Sequence, residues 1–280
     1  MMEKQHTIER PASVSGIALH TGARATLRIL PAETDRGIIF RRVDLPGTPE
    51  VRALATNVVD ARRGTTIACG NAVVYTVEHI MSALHVAGID NAVVEMDGLE
   101  PPIADGSAMP YWEMVKAAGR VEQAAPAEFF HCREILHLKH GDTQMVMTPA
   151  EQLEISCLAS FRGCPFDPQY QSFVISPETY EKEIAGARTF VEYKDLEQLL
   201  AMGLVKGGSL DAAAIIHNGA IICKERLLFQ DEIVRHKILD VIGDMYLCGR
   251  RVKANIIAIK PGHSKNVELA GMMIRQMSAQ

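Results

Sequence analysis

An α+β fold made of two similar halves is predicted by three features of the sequence. The first is a helical stretch, Asp231–Gly249, that is apolar around nearly its whole circumference. The second is an earlier segment that echoes it. Val77-Glu-His-Ile-Met-Ser-Ala-Leu is followed by a glycine and an apolar strand, and so is Val234-Arg-His-Lys-Ile-Leu-Asp-Val. The third is a small, uncharged piece, Ala124-Ala-Pro-Ala127, lying between two sets of β-patterned segments. We therefore expect a duplicated α+β unit, with His79 and His236 equivalent and domains spanning 1–125 and 126–280.

In the first half, Thr26-Leu-Arg-Ile-Leu alternates with period two, and Gly37-Ile-Ile-Phe-Arg resumes after a polar turn. The glycine-bounded loop Gly16–Gly22 displays His20, and Thr65–Cys69 reads as a short strand. Thr76 is the expected N-cap of a helix whose Val77, Ile80, Met81 and Leu84 form one face and whose end is Gly88. A strand over Asn91–Met96 and a helix over Ala108–Ala118 complete the half.

The second half opens with strands around Phe129–Leu138, Gln144–Met147 and Leu153–Phe161, then a turn at Gly163–Pro168. Helices follow at Glu178–Gly186 and Asp195–Met202. Asn218-Gly219, between the apolar runs Ala213–His217 and Ala220–Cys223, is a hairpin signal. Asp231 is the expected N-cap of the second echoing helix, and Gly249 its end. The strand Asn255–Ile259 leads to a Pro-Gly turn carrying His263.

Composition excludes several classes. A net charge of −5 gives no basic stripe for nucleic acid, and 5% aromatics give no base-stacking surface. No run approaches the ~20 apolar residues of a membrane span, and Met-Met-Glu-Lys-Gln-His lacks a signal-peptide core. We expect a cytosolic protein. The six cysteines are scattered without a Cys-x-x-Cys pair and read as buried small hydrophobes, so any metal must be held by His and carboxylate.

His236, Asp240 and Asp244 follow at i, i+4 and i+8. Ile233 and Leu247 fall close to that stripe, so the helix should be buried, and buried charges need a partner or a metal. If the halves pack with their echoing helices adjacent, His79, His236 and Asp240 supply three ligands. That set leaves the fourth position of a catalytic zinc site open. Glu78 could then act as a general base, His263 could protonate a leaving amine, and Asp244 could hold the His263 ring cationic and oriented. Together these groups describe metal-assisted hydrolysis of an amide or ester.

The motifs Thr76-Val-Glu-His79, Gly88-Ile-Asp-Asn91, Pro102-Ile-Ala-Asp-Gly-Ser107, Ala187-Arg-Thr-Phe190, Gly207-Gly-Ser209, Arg235-His-Lys-Ile-Leu-Asp240, Ile242-Gly-Asp244 and Gly262-His263 run in order. In combination they resemble the UDP-3-O-acyl-N-acetylglucosamine deacetylases of lipid A biosynthesis. The resemblance implies two similar two-layer α/β-sandwich halves with their helices packed between the sheets. It implies one Zn2+ per chain on His79, His236 and Asp240, with Fe2+ able to occupy the same ligands. Glu78 would be the base, His263 the acid, and Thr189 would help hold the oxyanion. Phe190 would contact the sugar, Lys237 and His20 would serve substrate binding, and Asp244 would orient His263. The Gly208 loop reads either as a backbone nest for substrate phosphate or as a tight connection. The expected partner is the acyl-UDP-sugar, handled by a monomer with at most peripheral membrane contact.

Two departures accompany the resemblance. Val191-Glu-Tyr-Lys stands where many members have glycine and an aromatic, which bears on the acyl chain accepted, and Ser264-Lys265 replaces small or apolar residues. Two rival readings stand beside it: a paralogue acting on another N-acyl sugar, and a non-catalytic protein that binds the acyl-UDP-sugar.

Overall fold

The structure is a computed structural model and describes residues 3–161 and 164–279. Two large sheets carry the fold, with helices between them. In the first, the strand order is Ala12–Ile17, Arg24–Pro31, Ala92–Met96, Ile38–Arg42, Glu50–Arg52. In the second it is Leu136–His140, Thr143–Thr148, Arg251–Ile259, Leu153–Ala159, Gln169–Val174, with Phe129–His131 pairing alongside Arg251–Ile259. Read along either order, the pairings are antiparallel, antiparallel, parallel and antiparallel. The alternation seen in the sequence becomes burial directly: Leu27 and Ile29 are fully buried, while Arg28 between them faces out.

The echoing helices, Glu78–Ala87 and Glu232–Tyr246, pack against each other in the layer between the sheets. One core links Leu27 and Val94 of the first sheet, Ile80, Leu84, Ile238 and Val241 of the helices, and Ile155 and Ile256 of the second sheet. Within Glu232–Tyr246 every residue except Lys237 is buried, as its all-round apolar pattern requires.

Several expectations are corrected. The Ala124–Ala127 piece is no free linker. Arg120–Pro126 is a strand paired antiparallel with Lys4–Ile8, and the Ala127 N–H donates to the Glu3 carbonyl at 2.8 Å. Thr76 does not cap its helix. Val77 holds the cap position, Thr76 has a φ of 52°, and its hydroxyl donates to Glu100. Asp231 holds the cap position of its helix, but its carboxylate is engaged by Arg235 and Gln171 rather than by the helix amides. Gly88 closes the first helix in the left-handed conformation, as expected. The segment after His263, read only as a turn, is a helix, His263–Ser278, and Glu178–Gly186 contains a π-helical turn at Tyr180–Ile184. Cys132, Cys157 and Cys248 are buried, but Cys69, at the exposed end of a hairpin strand, is not, and Cys164 and Cys223 are only half-buried. Gly163, the start of the expected turn, lies outside the described residues.

Candidate metal centre

Glu78 and His79 open the first helix, and His236, Asp240 and Asp244 lie along the second. The two helices cross with almost no clearance at Gly243. A Cβ placed there would lie 2.1 Å from the Glu78 carbonyl oxygen. Glycine at this position lets the two backbones meet and brings His79 to the other ligands. One donor atom each from His79, His236 and Asp240 lie within 4.8 Å of one another. The two imidazoles stand edge to face at 5.1 Å, and His236 Nε2 is 3.5 Å from Asp240 Oδ1.

These residues fit a metal ion. His236 Nδ1–H donates to the Ala187 carbonyl at 2.9 Å, fixing the tautomer so that Nε2 faces the other ligands. Asp240 Oδ1 is buried with no hydrogen-bond donor, an orphaned acceptor aimed where a cation would sit. Burial pushes His79 down to about 3 and His236 below the ordinary histidine value, so both imidazoles are neutral and able to coordinate. Burial alone would raise Asp240, but Lys237, then the nearby histidines, hold its carboxyl well below the usual carboxylate range. Lys237 Nζ is 2.7 Å from Asp240 Oδ2 and lies over the Phe190 ring. Two neutral nitrogens and one carboxylate suit zinc or ferrous iron.

The base and acid candidates face the same point. Glu78 Oε2 accepts the Thr65 N–H at 2.9 Å, leaving Oε1 3.9 Å from His263 Nε2. Burial pushes the Glu78 carboxyl up to about 7. His263 Nδ1–H donates to Asp244 Oδ2 at 2.9 Å. Burial pulls the His263 imidazole down, but Asp244, Asp240 and Glu78 outweigh it and raise the ring to about 9. Asp244 is fully buried and is also held by the Thr65 hydroxyl at 2.6 Å and by Asn266 Nδ2 at 2.9 Å.

Glu78, His79, His236, Asp240 and His263 line a cavity of about 1010 Å³, together with His20, Thr189, Phe190 and Lys237. The Thr189 N–H is engaged by the Gly106 carbonyl. His20 is nine-tenths buried, its backbone N–H held by the Glu100 carboxylate and its Nε2 3.3 Å from the Arg63 carbonyl. Phe190 packs edge-on against Phe161. Gly208 is the exception. Its amide donates to the Val205 carbonyl, the Gly207 amide donates to that of Leu19, and Gly208 is not in the cavity wall. A Cβ on Gly207 would meet the Ala18 carbonyl oxygen at 2.1 Å. Both glycine amides of this loop are thus taken up by carbonyls of the chain itself.

Thr65, the Ala187 carbonyl and Asn266 carry parts of this arrangement that sequence reasoning missed. Ala187 stood inside a recognised motif and Asn266 just beyond another, but nothing in the local sequence of Thr65 marked it. Glu192, the departure after Phe190, lines the cavity and pairs with Lys194 at 3.0 Å.

Comparison with known proteins agrees over nearly the whole chain. The family model for LpxC, UDP-3-O-acyl N-acetylglycosamine deacetylase, matches residues 5–275. A protein of Myxococcus xanthus named UDP-3-O-acyl-N-acetylglucosamine deacetylase is 43% identical over 265 residues, covering 95% of this chain and 84% of its own length. Proteins of the same name from Geobacter sp. strain M21 and Chlamydia pneumoniae are each 39% identical, covering 97% and 95% of this chain and 89% and 96% of their own lengths. With the metal-ligand geometry and these matches together, the chain belongs to the UDP-3-O-acyl-N-acetylglucosamine deacetylase family.

Proposed function

We propose that this chain hydrolyses the N-acetyl group of UDP-3-O-(3-hydroxyacyl)-N-acetylglucosamine with one zinc ion held by His79, His236 and Asp240. The family's reaction is UDP-3-O-acyl-N-acetylglucosamine deacetylation in lipid A biosynthesis. The observation that carries the reading is the convergence of a raised glutamate and a raised histidine, 3.9 Å apart, beside three metal-ligating atoms on the wall of one cavity.

Zinc on those ligands would supply a Lewis acid that polarises the amide carbonyl and acidifies water. The protein's own groups do the proton work. Glu78 Oε1 takes a proton from water as the carbonyl carbon is attacked. His263, charged and held through Nδ1 by Asp244, gives the Nε2 proton to the departing amine nitrogen. The Thr189 hydroxyl and the Lys237 cation face the developing oxyanion and the substrate, and Phe190 and His20 pack against the sugar. Leu19, Ile103, Met202 and Leu204 give the cavity apolar wall for an acyl chain. Within this reading the chain divides into the halves 1–125 and 126–280, works as a monomer in the cytoplasm, and touches the membrane at most peripherally. No helix among the described residues is long and apolar enough to cross a membrane.

The test is acetate release from the acylated substrate by wild type and Glu78→Gln. Removing a general base costs about 10²–10⁴ in rate, with metal retained because Glu78 is not a ligand. Loss of metal in Glu78→Gln, or a wild-type rate, would refute the assignment. Equal turnover of acyl-free UDP-N-acetylglucosamine would instead favour a deacylase of another N-acyl sugar.

A further inference from the structure

Thr65 lies between the Glu78 and Asp244 carboxylates, one from each of the two crossing helices. It is fully buried, and each of its polar groups is engaged. The N–H donates to Glu78 Oε2 at 2.9 Å, the carbonyl accepts the Val77 N–H at 3.2 Å, and the hydroxyl donates to Asp244 Oδ1 at 2.6 Å. The hydroxyl distance is that of a charge-assisted bond to a carboxylate. Each contact also selects an oxygen. Holding Glu78 by Oε2 leaves Oε1 facing His263, and holding Asp244 by Oδ1 leaves Oδ2 for the His263 Nδ1–H and Asn266.

We infer that Thr65 is a positioning residue that keeps Glu78 and, through Asp244, the His263 imidazole in register with each other. The inference rests on the roles assigned above to Glu78 and His263. It adds one residue that ties together two arms arising from different helices. Without the hydroxyl, Asp244 Oδ1 is a buried acceptor lacking its donor, and the carboxylate can rotate away from His263. The backbone link to Glu78 survives, because it uses the Thr65 amide.

The experiment compares Thr65→Val, which keeps the shape and removes the hydroxyl, with Thr65→Ser, which restores it. Both are measured as zinc-loaded full-length enzyme for kcat, KM, metal content, thermal unfolding and the His263 Nδ1–H proton resonance, assigned by its loss in His263→Gln. Partners that orient a functional group cost about 10–100-fold when removed. We expect that loss in kcat for Thr65→Val, with KM and metal content unchanged, a shifted or broadened His263 resonance, and recovery in Thr65→Ser. If Thr65→Val does not fold, Thr65→Ala replaces it with the same expectations. A wild-type kcat without the hydroxyl would overturn the inference. So would a loss that comes with metal, or one that serine does not restore, since either marks a packing role. An inactive wild type would instead overturn the assigned reaction, so the two failures are distinct.

Discussion

A methyl group added to Gly243 would force the two ligand-bearing helices apart. In Gly243→Ala the new Cβ lies 2.1 Å from the Glu78 carbonyl oxygen, 2.8 Å from its carbonyl carbon and 3.1 Å from its Cα. All three are backbone atoms, so no side chain can swing away. Ordinary contact begins at 3.4 Å, so the crossing must open by about 1.3 Å, the difference between 3.4 and 2.1 Å. Metal–ligand distances tolerate only about ±0.2 Å. His79 leaves with Glu78, whereas His236 and Asp240 stay with the other helix. Overpacking costs about 1–3 kcal/mol, and exchanging glycine for alanine inside a helix returns up to about 1 kcal/mol. The variant should therefore fold with a Tm lowered by several degrees, yet bind zinc at least tenfold more weakly, about 1.4 kcal/mol. Competition against a chelating indicator, with thermal unfolding of the metal-free protein alongside, measures both. Wild-type zinc affinity and wild-type turnover in Gly243→Ala would refute the claim that this crossing sets the site.

Two further predictions concern pH. His85 is buried, with Nδ1 on the Ile242 carbonyl, Nε2 accepting the Val252 N–H, and its ring stacked on Tyr246. Burial lowers it from 6.5 to about 4, so in that window the unfolded chain binds a proton that the folded protein refuses. Stability from this residue is fully present above about 6.5 and falls, by about 3 kcal/mol in total, as pH drops toward about 4. In denaturant unfolding of metal-free proteins, His85→Gln should lose less stability than wild type between neutral pH and that window, and equal losses would contradict this. Turnover should rise through about 7 as Glu78 loses its proton and fall through about 9 as His263 loses its own. His263→Gln should lack the alkaline fall, and a profile that keeps it would remove His263 from the acid role.

The candidate metal ligands were legible because burial and charge conflict there. A helix apolar on every side has no solvated face, so a His and an Asp one turn apart on it demand a partner. The echo of Val77–Leu84 in Val234–Val241 then pointed to His79 as the third candidate, and the packing of the two helices brings its ring to 5.1 Å from that of His236. What escaped notice depends on backbone groups and distant contacts. The Ala187 carbonyl and the Thr65 amide act through atoms that every residue has. Ala124–Ala127 reads as a break between halves because it is small and uncharged, yet it continues the strand Arg120–Pro126, whose pairing partner is Lys4–Ile8, more than a hundred positions earlier in the chain. The Gly208 loop reads equally as a phosphate nest or a tight connection, and its Gly207 and Gly208 amides donate to carbonyls of the chain itself. The helix His263–Ser278 was hidden behind a Pro-Gly turn, its buried positions reduced to Asn266, Leu269, Ala270 and Met273.

The proposed zinc site draws His79 from one helix and His236 and Asp240 from another, and metal content tests it most directly. Wild type and His79→Ala, purified side by side and analysed for elements, should give about one zinc per chain and almost none respectively, since three protein ligands define such a site. No metal in wild type after zinc is supplied, or equal metal in both proteins, would contradict the account.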